Sequence, residues 1–234
     1  MNISIRHQKG FTLAELLVVM AIIGLMSTLV LVNFQSGRRA TDLKGASTRL
    51  LQDIRLAQSY TIAGNSFNYC QPGSANPYIL CQLYTECGGS PPNPLACKNT
   101  TPTNGYGIYI GNQDTYQIFG DTKPDGILET SVDYQVINQD NTLKNIYILG
   151  YRVYSTVTPS QAVRVNEEVD THPVSVTFSP PEGTARLYVD GLLNSDYTNL
   201  DIVLKSSHIA DFCRRVSINI LSGQVSESQG SCTP

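Results

Sequence analysis

A continuous apolar run near the N-terminus constrains this chain more than any other feature. From Phe11 to Phe34 the sequence has 24 residues, and Glu15 is the only charged side chain among them. As a helix the run would be roughly 36 Å long, enough to span a bilayer with some tilt. It is longer than the apolar core of a secretory signal peptide, and no A-x-A cleavage signal follows it. The sequence therefore predicts a transmembrane helix over residues 11–34, with membrane lipid as its surroundings before assembly.

The rest of the chain is predicted to be globular and to lie outside the cytosol. Of its 234 residues 41% are hydrophobic and 15% are charged, which allows a packed core. The basic residues Arg6 and Lys9 precede the apolar run and Arg38 and Arg39 follow it, so charge alone leaves the orientation open. The cysteines, without a CxxC or a histidine cluster, favour disulfides over a metal site and thus an oxidising compartment. They are Cys70, Cys81, Cys87, Cys97, Cys213 and Cys232.

The residues around Glu15 form a compact motif. In order they are Lys9, Gly10, Phe11, Thr12 and Glu15, followed by the apolar run. This motif resembles the N-terminus of type IV prepilins and type II secretion pseudopilins. The resemblance implies a leader over residues 1–10, cleavage by a prepilin peptidase after Gly10, N-methylation of Phe11 and a role for Glu15 in assembly. It also implies three kinds of partner: other pilin or pseudopilin subunits, the peptidase and an inner-membrane assembly platform.

Glu15 needs a partner if it enters a bilayer. A charge at the bilayer centre costs about 2.5–3.5 kcal/mol on insertion scales, and less near the interface. Cleavage would create a cationic amine at Phe11, one helical turn before Glu15 and on the same face. An opposite charge at about 4 Å returns about 4 kcal/mol at an effective dielectric constant of 20. We therefore expect Glu15 to pair with the Phe11 amine of its own or a neighbouring subunit. The alternative is an ordinary membrane anchor that does not assemble.

The helix is predicted to continue beyond the apolar run, over residues 35–63. Apolar and small residues recur every three or four positions and form one stripe. They are Ala40, Leu43, Ala46 or Ser47, Leu50, Ile54, Ala57 and Thr61. The alternative is that Gly37 ends the first helix and a second one starts near Thr41.

Residues 64–104 are predicted to be a cysteine-rich loop, because glycine, proline, asparagine and serine interrupt every longer run. We favour the pairs Cys70–Cys81 and Cys87–Cys97, although six cysteines allow 15 connectivities. The loop is interpreted as a stabilised insertion, with a contact surface as the alternative.

From Gly105 the hydrophobic period becomes two, and eight short strand-like runs are separated by turn signals. Residues 105–234 are therefore predicted to form an antiparallel β-sheet domain that packs on the helix, an α+β fold. Cys213 and Cys232 flank a hairpin that turns at Ser222 and Gly223. A disulfide between them would contribute about 3 kcal/mol by loop entropy.

Three stretches refine the resemblance. "GYGIYI…YQIFGDTKPDGI", "VSVTFSPPEGTARL" and "CRRVSINILSGQVSESQGSC" resemble the group of H-type minor pseudopilins and fimbrial T-type minor pilins. The resemblance implies the pilin fold and a minor, structural subunit. Whether that subunit belongs to a surface pilus or a secretion pseudopilus stays open.

No catalytic residue, cofactor or metal site is predicted. The segment "GDTKPDGILE" carries Asp121, Asp125 and Glu129, but Lys123 stands where a calcium loop needs an oxygen ligand, so a turn is the better interpretation.

Nucleic acid is not expected as a partner. Without Arg6 and Lys9 of the leader, the 16 basic side chains become 14 against 19 acidic ones, a net charge of −5. Some fimbrial T-type pilins bind DNA through basic residues after the C-terminal glycine, yet here that stretch is "SGQVSESQGS". A DNA-uptake pilin remains the alternative through a dispersed basic patch, although a solvated face is the expected role. That patch would comprise Arg164, Arg186, Lys205, Arg214 and Arg215.

Overall fold

The computed structural model describes an N-terminal helix and the strands that follow it. The described residues are 12–70, 79–80, 98–122, 126, 128, 134–135, 143, 146–155, 162–167, 172–207, 212–230 and 232. Within them, the side chains of residues 29–36, 69–70, 79–80, 98, 134–135 and 162–167 are not described. The chain divides after Thr41 into two compact units, which are described separately below.

A single α-helix, α1, extends from Leu13 to Ile62. The alternative of two helices that meet between Gly37 and Thr41 is not what the structure shows. Both residues lie inside α1, where the Thr41 hydroxyl donates to the Gly37 carbonyl oxygen at 3.0 Å. The helix ends one residue before the predicted boundary at Ala63.

The strands that the structure describes form three sheets, and every pairing among these strands is antiparallel. A small sheet has the order β2-β1-β3 and consists of β1 (Phe67–Cys70), β2 (Ile79–Leu80) and β3 (Lys98–Thr100). A six-stranded sheet has the order β11-β10-β9-β4-β5-β6 and consists of β4 (Tyr106–Ile110), β5 (Gln117–Gly120), β6 (Tyr134–Gln135), β9 (Val174–Ser179), β10 (Thr184–Val189) and β11 (Leu192–Leu193). A five-stranded sheet has the order β14-β13-β12-β7-β8 and consists of β7 (Ile146–Ser155), β8 (Ala162–Glu167), β12 (Tyr197–Ser206), β13 (Cys213–Asn219) and β14 (Val225–Gly230). The predicted α+β class is confirmed.

The unit from Asp42 onward has one hydrophobic core, to which α1 and the two larger sheets all contribute. From Leu43 to Thr61, the helix buries one stripe of side chains at the expected spacing. The buried members are Leu43, Ser47, Leu50, Leu51, Ile54, Ala57 and Thr61. Ile54 of the helix lines one small interior space together with Ile108 and Val176 of the six-stranded sheet and Leu200 and Ile218 of the five-stranded sheet.

The end of α1 contacts the six-stranded sheet very closely at Thr61. Its hydroxyl oxygen accepts a hydrogen bond from the Tyr106 backbone N–H at 2.8 Å and donates one to the Ala57 carbonyl at 3.1 Å. Gly105 makes this approach possible, because a Cβ atom there would lie 2.8 Å from Thr61 Cγ2 of the helix and 1.9 Å from the Phe178 carbonyl oxygen of the sheet. Its φ of +82° also favours glycine. The helix and the sheet are thus joined by a hydrogen bond between the Thr61 hydroxyl and the Tyr106 backbone, which a larger residue at position 105 would prevent.

Tyr106 is buried beside this joint. Its hydroxyl donates to the Asn65 carbonyl oxygen at 2.8 Å, and its ring meets the Tyr60 ring edge-on at a centroid distance of 5.5 Å. Desolvation by burial, together with the nearby Tyr60, raises the pKa of Tyr106 to about 12.

Replacing Thr61 by valine should weaken the joint between helix and sheet. Valine keeps the shape but leaves the buried Tyr106 N–H without its acceptor, so the free energy of unfolding should fall by about 1–3 kcal/mol. Urea unfolding can be followed by tyrosine fluorescence, because the chain has 13 tyrosines and no tryptophan. Thr61→Ser keeps the hydroxyl and is the matched control, with a smaller loss expected. A valine variant as stable as the parent chain would contradict this prediction.

Ionisation of Tyr106 should destabilise the fold at alkaline pH. Because the pKa of Tyr106 is raised from 10.0 to about 12, its stabilising effect is complete below pH 10 and is lost as the pH rises towards 12. Over this pH range, the free energy of unfolding should therefore fall less in Tyr106→Phe than in the parent chain. The difference between the two decreases should be about 1–2 kcal/mol. Urea unfolding at a series of pH values gives the free energy of unfolding as a function of pH for both chains. Identical pH dependence in the two chains would exclude this role for Tyr106.

Candidate functional site

The predicted processing site lies at the edge of the described part of the chain. Gly10 and Phe11 lie outside the described residues, whereas Thr12 and Glu15 are both described. Thr12 directly precedes the first helical residue and therefore holds the N-cap position of α1.

Thr12 and Glu15 form a capping box at the start of α1. The Glu15 Oε2 atom accepts hydrogen bonds from the Thr12 backbone N–H at 2.9 Å and from the Thr12 hydroxyl at 3.0 Å. In return, the Glu15 backbone N–H donates to the Thr12 hydroxyl oxygen at 3.3 Å. This reciprocal pattern satisfies two of the N–H groups that a helix start leaves without helical partners.

The capping box gives Glu15 a partner that the sequence interpretation missed. The carboxylate is held by donors of its own first turn, and it lies at the helix terminus where the macrodipole favours negative charge. The signal was present as Thr-x-x-Glu before an apolar run, which is typical of a helix N-terminus. The expected ion pair with the Phe11 amine stays a prediction, because Phe11 is outside the described residues.

The first turns of α1 expose apolar side chains on all sides. The large apolar side chains from Leu13 to Met26 are each between 50% and 78% exposed. Leu13, Leu16, Leu17, Val18, Val19, Met20, Ile22, Ile23, Leu25 and Met26 make up this surface. The next two residues, Ser27 and Thr28, are polar, but their hydroxyl groups donate hydrogen bonds to the helix backbone. Ser27 donates to the Ile23 carbonyl oxygen at 2.8 Å, and Thr28 donates to the Leu25 carbonyl oxygen at 2.7 Å. A helix that is apolar all round needs an apolar environment.

Among the residues that the structure describes, no helix carries a segment both long and apolar enough to cross a membrane.

At the other end of the chain, a disulfide joins Cys213 to Cys232. It ties the start of β13 to the residue that closely follows β14, so the C-terminal hairpin is covalently closed. Cys81, Cys87 and Cys97 lie outside the described residues, as does the side chain of Cys70. The two pairings favoured for them stay predictions.

Glu227 connects this C-terminal hairpin to α1 through hydrogen bonds. Its Oε1 atom accepts hydrogen bonds from the Ser47 hydroxyl at 2.5 Å and from Arg214 Nη1 at 3.0 Å. Its Oε2 atom accepts one from the Thr48 hydroxyl at 3.1 Å. A charged acceptor that is shielded from water and bonded by three donors is a strong contact. The sequence offered no signal for it, because about 180 residues separate the partners.

The basic residues of the alternative DNA-binding interpretation are engaged with other groups. Arg214 pairs with Glu227, and Arg215 Nε lies 3.5 Å from Asp201 Oδ2. Arg186 Nη1 donates to Asn104 Oδ1 at 2.8 Å. The side chain of Arg164 lies outside the described residues. Three of the five basic side chains therefore serve contacts within the protein.

Asp121 of the segment that resembles a calcium loop is fully buried and bonded to the protein. Its Oδ2 atom accepts hydrogen bonds from Asn104 Nδ2 at 2.5 Å and from the Gly126 N–H at 3.1 Å. Asp125 and Glu129 lie outside the described residues. Asp121 thereby connects Asn104 to the backbone of Gly126.

Comparison with known proteins supports the motif and the fold. Residues 5–31 match the family model of the prokaryotic N-terminal methylation motif. The chain is also 25% identical over 126 residues to the type IV wide pilus major component PilA4 of Thermus thermophilus, an alignment that covers 54% of this chain and 90% of that protein. No solved structure matches the chain significantly. The N-terminal motif and the relative make this chain similar to type IV pilins, and its α+β fold is consistent with that similarity.

Proposed function

We propose that this chain is a minor structural subunit of a type IV pilus or a type II secretion pseudopilus, and that it assembles through the N-terminal part of α1. The observation that carries the proposal is the all-round apolar surface from Leu13 to Met26, whose N-terminal end carries the capping box of Thr12 and Glu15. Such a surface is costly in water, so it needs lipid in one state and the apolar helices of other subunits in another.

In this proposal, a prepilin peptidase removes residues 1–10 by cutting between Gly10 and Phe11, and the new terminus is N-methylated. The apolar run from Phe11 to Phe34 anchors the precursor in the inner membrane as a single span, with the globular unit outside the cytosol. An assembly platform then transfers the subunit into the filament. The disulfide Cys213–Cys232 suits an oxidising compartment.

Glu15 has two roles in this proposal. Before assembly, the capping box holds its carboxylate at the start of α1 and lowers the cost of placing the charge near lipid. In the filament, the methylated amine of Phe11 from a neighbouring subunit supplies the opposite charge. The two partners are compatible, because a carboxylate has about four acceptor sites and the capping box uses two of them.

The assignment to the H-type pseudopilin and fimbrial T-type pilin group belongs to the proposal and rests on the three quoted stretches of sequence. A structural role without catalysis follows from it. A DNA-uptake role is less well supported, because Arg186, Arg214 and Arg215 are bonded to side chains of the same molecule.

Mass spectrometry of the membrane-extracted protein tests the processing step. We expect the mature chain to begin at Phe11 and to carry one extra methyl group at its N-terminus. Gly10→Val should abolish cleavage, because a branched side chain at that position obstructs the extended backbone that a peptidase binds. A mature protein that keeps Met1, or that is cut at another bond, would refute the proposal.

Variants of Thr12 and Glu15 separate the capping box from the ion pair. Glu15→Gln keeps a capping side chain but loses the charge, so incorporation into filaments should be nearly abolished if the ion pair drives assembly. Thr12→Val removes the cap, which is worth about 1 kcal/mol, and should lower incorporation roughly fivefold. Thr12→Ser keeps the hydroxyl and is the matched control.

The measurement is the ratio of filament-associated to cell-associated protein on immunoblots. Mass spectrometry on each variant shows whether cleavage is intact. Normal incorporation of Glu15→Lys, which reverses the charge, would contradict the pairing argument.

A further inference from the structure

A polar groove of about 530 Å³ lies where the C-terminal hairpin meets the last turns of α1. Its volume is in the range of small-molecule sites, whereas most such sites are lined by apolar side chains. The groove is lined by Arg55 and Gln58 of α1, Asn199 of β12, Ser217 and Asn219 of β13, and residues 222–226. All of these residues belong to the unit from Asp42 onward.

A hydrogen-bonded pair of side-chain amides forms the floor of the groove. Asn199 and Asn219 are direct neighbours across β12 and β13, and Asn219 Nδ2 donates to Asn199 Oδ1 at 3.1 Å. Asn219 Oδ1 in turn accepts from the Ser222 N–H at 2.8 Å and the Ser222 hydroxyl at 2.9 Å. These bonds hold the floor and the turn in one arrangement before any ligand arrives, which reduces the entropic cost of binding.

Two of the lining residues, Gly223 and Gln58, are in close contact with each other. A Cβ atom there would lie 2.7 Å from Gln58 Nε2 and 2.9 Å from the Gly183 carbonyl oxygen. Gln58 Nε2 itself donates to the Gly183 carbonyl at 3.3 Å. The helix, the C-terminal turn and the β9–β10 turn therefore converge at this point.

Arg55 supplies the charge of the groove. Its Nη2 atom donates to the Val225 carbonyl oxygen at 3.1 Å, which fixes the guanidinium group beside β14. In the described part of the chain no other acceptor is bonded to this group, and a guanidinium has five N–H donors. None of the described residues that line the groove is acidic or aromatic.

We propose that this groove binds a sugar acid, a ligand that carries several hydroxyl groups and one carboxylate. Amide and hydroxyl side chains both donate and accept hydrogen bonds, as sugar hydroxyl groups do. The guanidinium fork matches a carboxylate in geometry and charge. Without an aromatic ring to stack on, hydrogen bonds and one ion pair provide the affinity, so the dissociation constant should be on the order of 1 mM. This binding activity is separate from filament assembly and does not depend on it.

Ligand-observed NMR on the detergent-solubilised full chain tests the proposal, with glucuronate, glucose and acetate as probes. Glucuronate should bind at least about tenfold more tightly than either of the other two, because only it has both hydroxyl groups and a carboxylate. A glucuronate-terminated oligosaccharide shows whether the natural ligand is a glycan or a free sugar acid. Tighter binding of the oligosaccharide than of free glucuronate indicates a glycan, and equal binding indicates the free acid. Absence of glucuronate binding, or equal binding of glucose or acetate, would overturn the proposal.

Variants locate the site. Arg55→Gln should weaken glucuronate binding about tenfold or more, whereas Lys44→Gln, which removes one positive charge from the same helix outside the groove, should leave it unchanged. Gln224→Ala changes an exposed rim residue and should weaken binding severalfold, which keeps the test valid if Arg55→Gln is poorly folded. Unchanged binding in both Arg55→Gln and Gln224→Ala would overturn the assignment to this groove.

Discussion

The packing of one face of α1 into a core shared by two antiparallel sheets is the contact on which the globular unit depends. Ile54 is completely buried, and residues from both sheets surround it. Without this helix, apolar side chains of both sheets that belong to the shared core would be exposed to water. The polar contacts along the helix, at Ser47, Thr48 and Thr61, then determine its position along the sheets.

Carboxylates and hydroxyl groups make the specific contacts near both ends of the chain. At the start of α1, Glu15 is bonded by Thr12, and near the C-terminus Glu227 is bonded by Ser47 and Thr48. The first contact organises a helix start that precedes an exposed apolar surface. The second, together with the disulfide Cys213–Cys232, holds the final hairpin against the helix. In the functions proposed above, the first contact serves assembly and the second keeps the hairpin that lines the polar groove in place.

Much of the local structure could be predicted from periodicity. The stripe from Leu43 to Thr61 was expected from its three-to-four spacing, and the strand-like run "YGIYI" has the same bounds as β4. Short strands within the predicted loop, such as β1 and β3, were missed because the turn-rich composition hides them. The division of the later strands among two larger sheets was not predictable, since alternation shows that a strand has a buried face but not which partner lies beside it.

The sequence by itself determined the N-terminal motif from Lys9 to Glu15, the helical stripe from Leu43 to Thr61 and the α+β class, because each depends on residues that are close together in the chain. The structure decided that one helix continues through Gly37. It also contained the Thr-x-x-Glu capping signal, although its significance became clear only from the hydrogen bonds. Only the tertiary structure decided the partners of Glu227, the contact of Thr61 with Tyr106, and the convergence of Arg55, Asn199 and Asn219 on one groove. These residues are separated by long stretches of chain, and hydrogen bonds between such distant groups follow from the packing of whole elements rather than from local sequence.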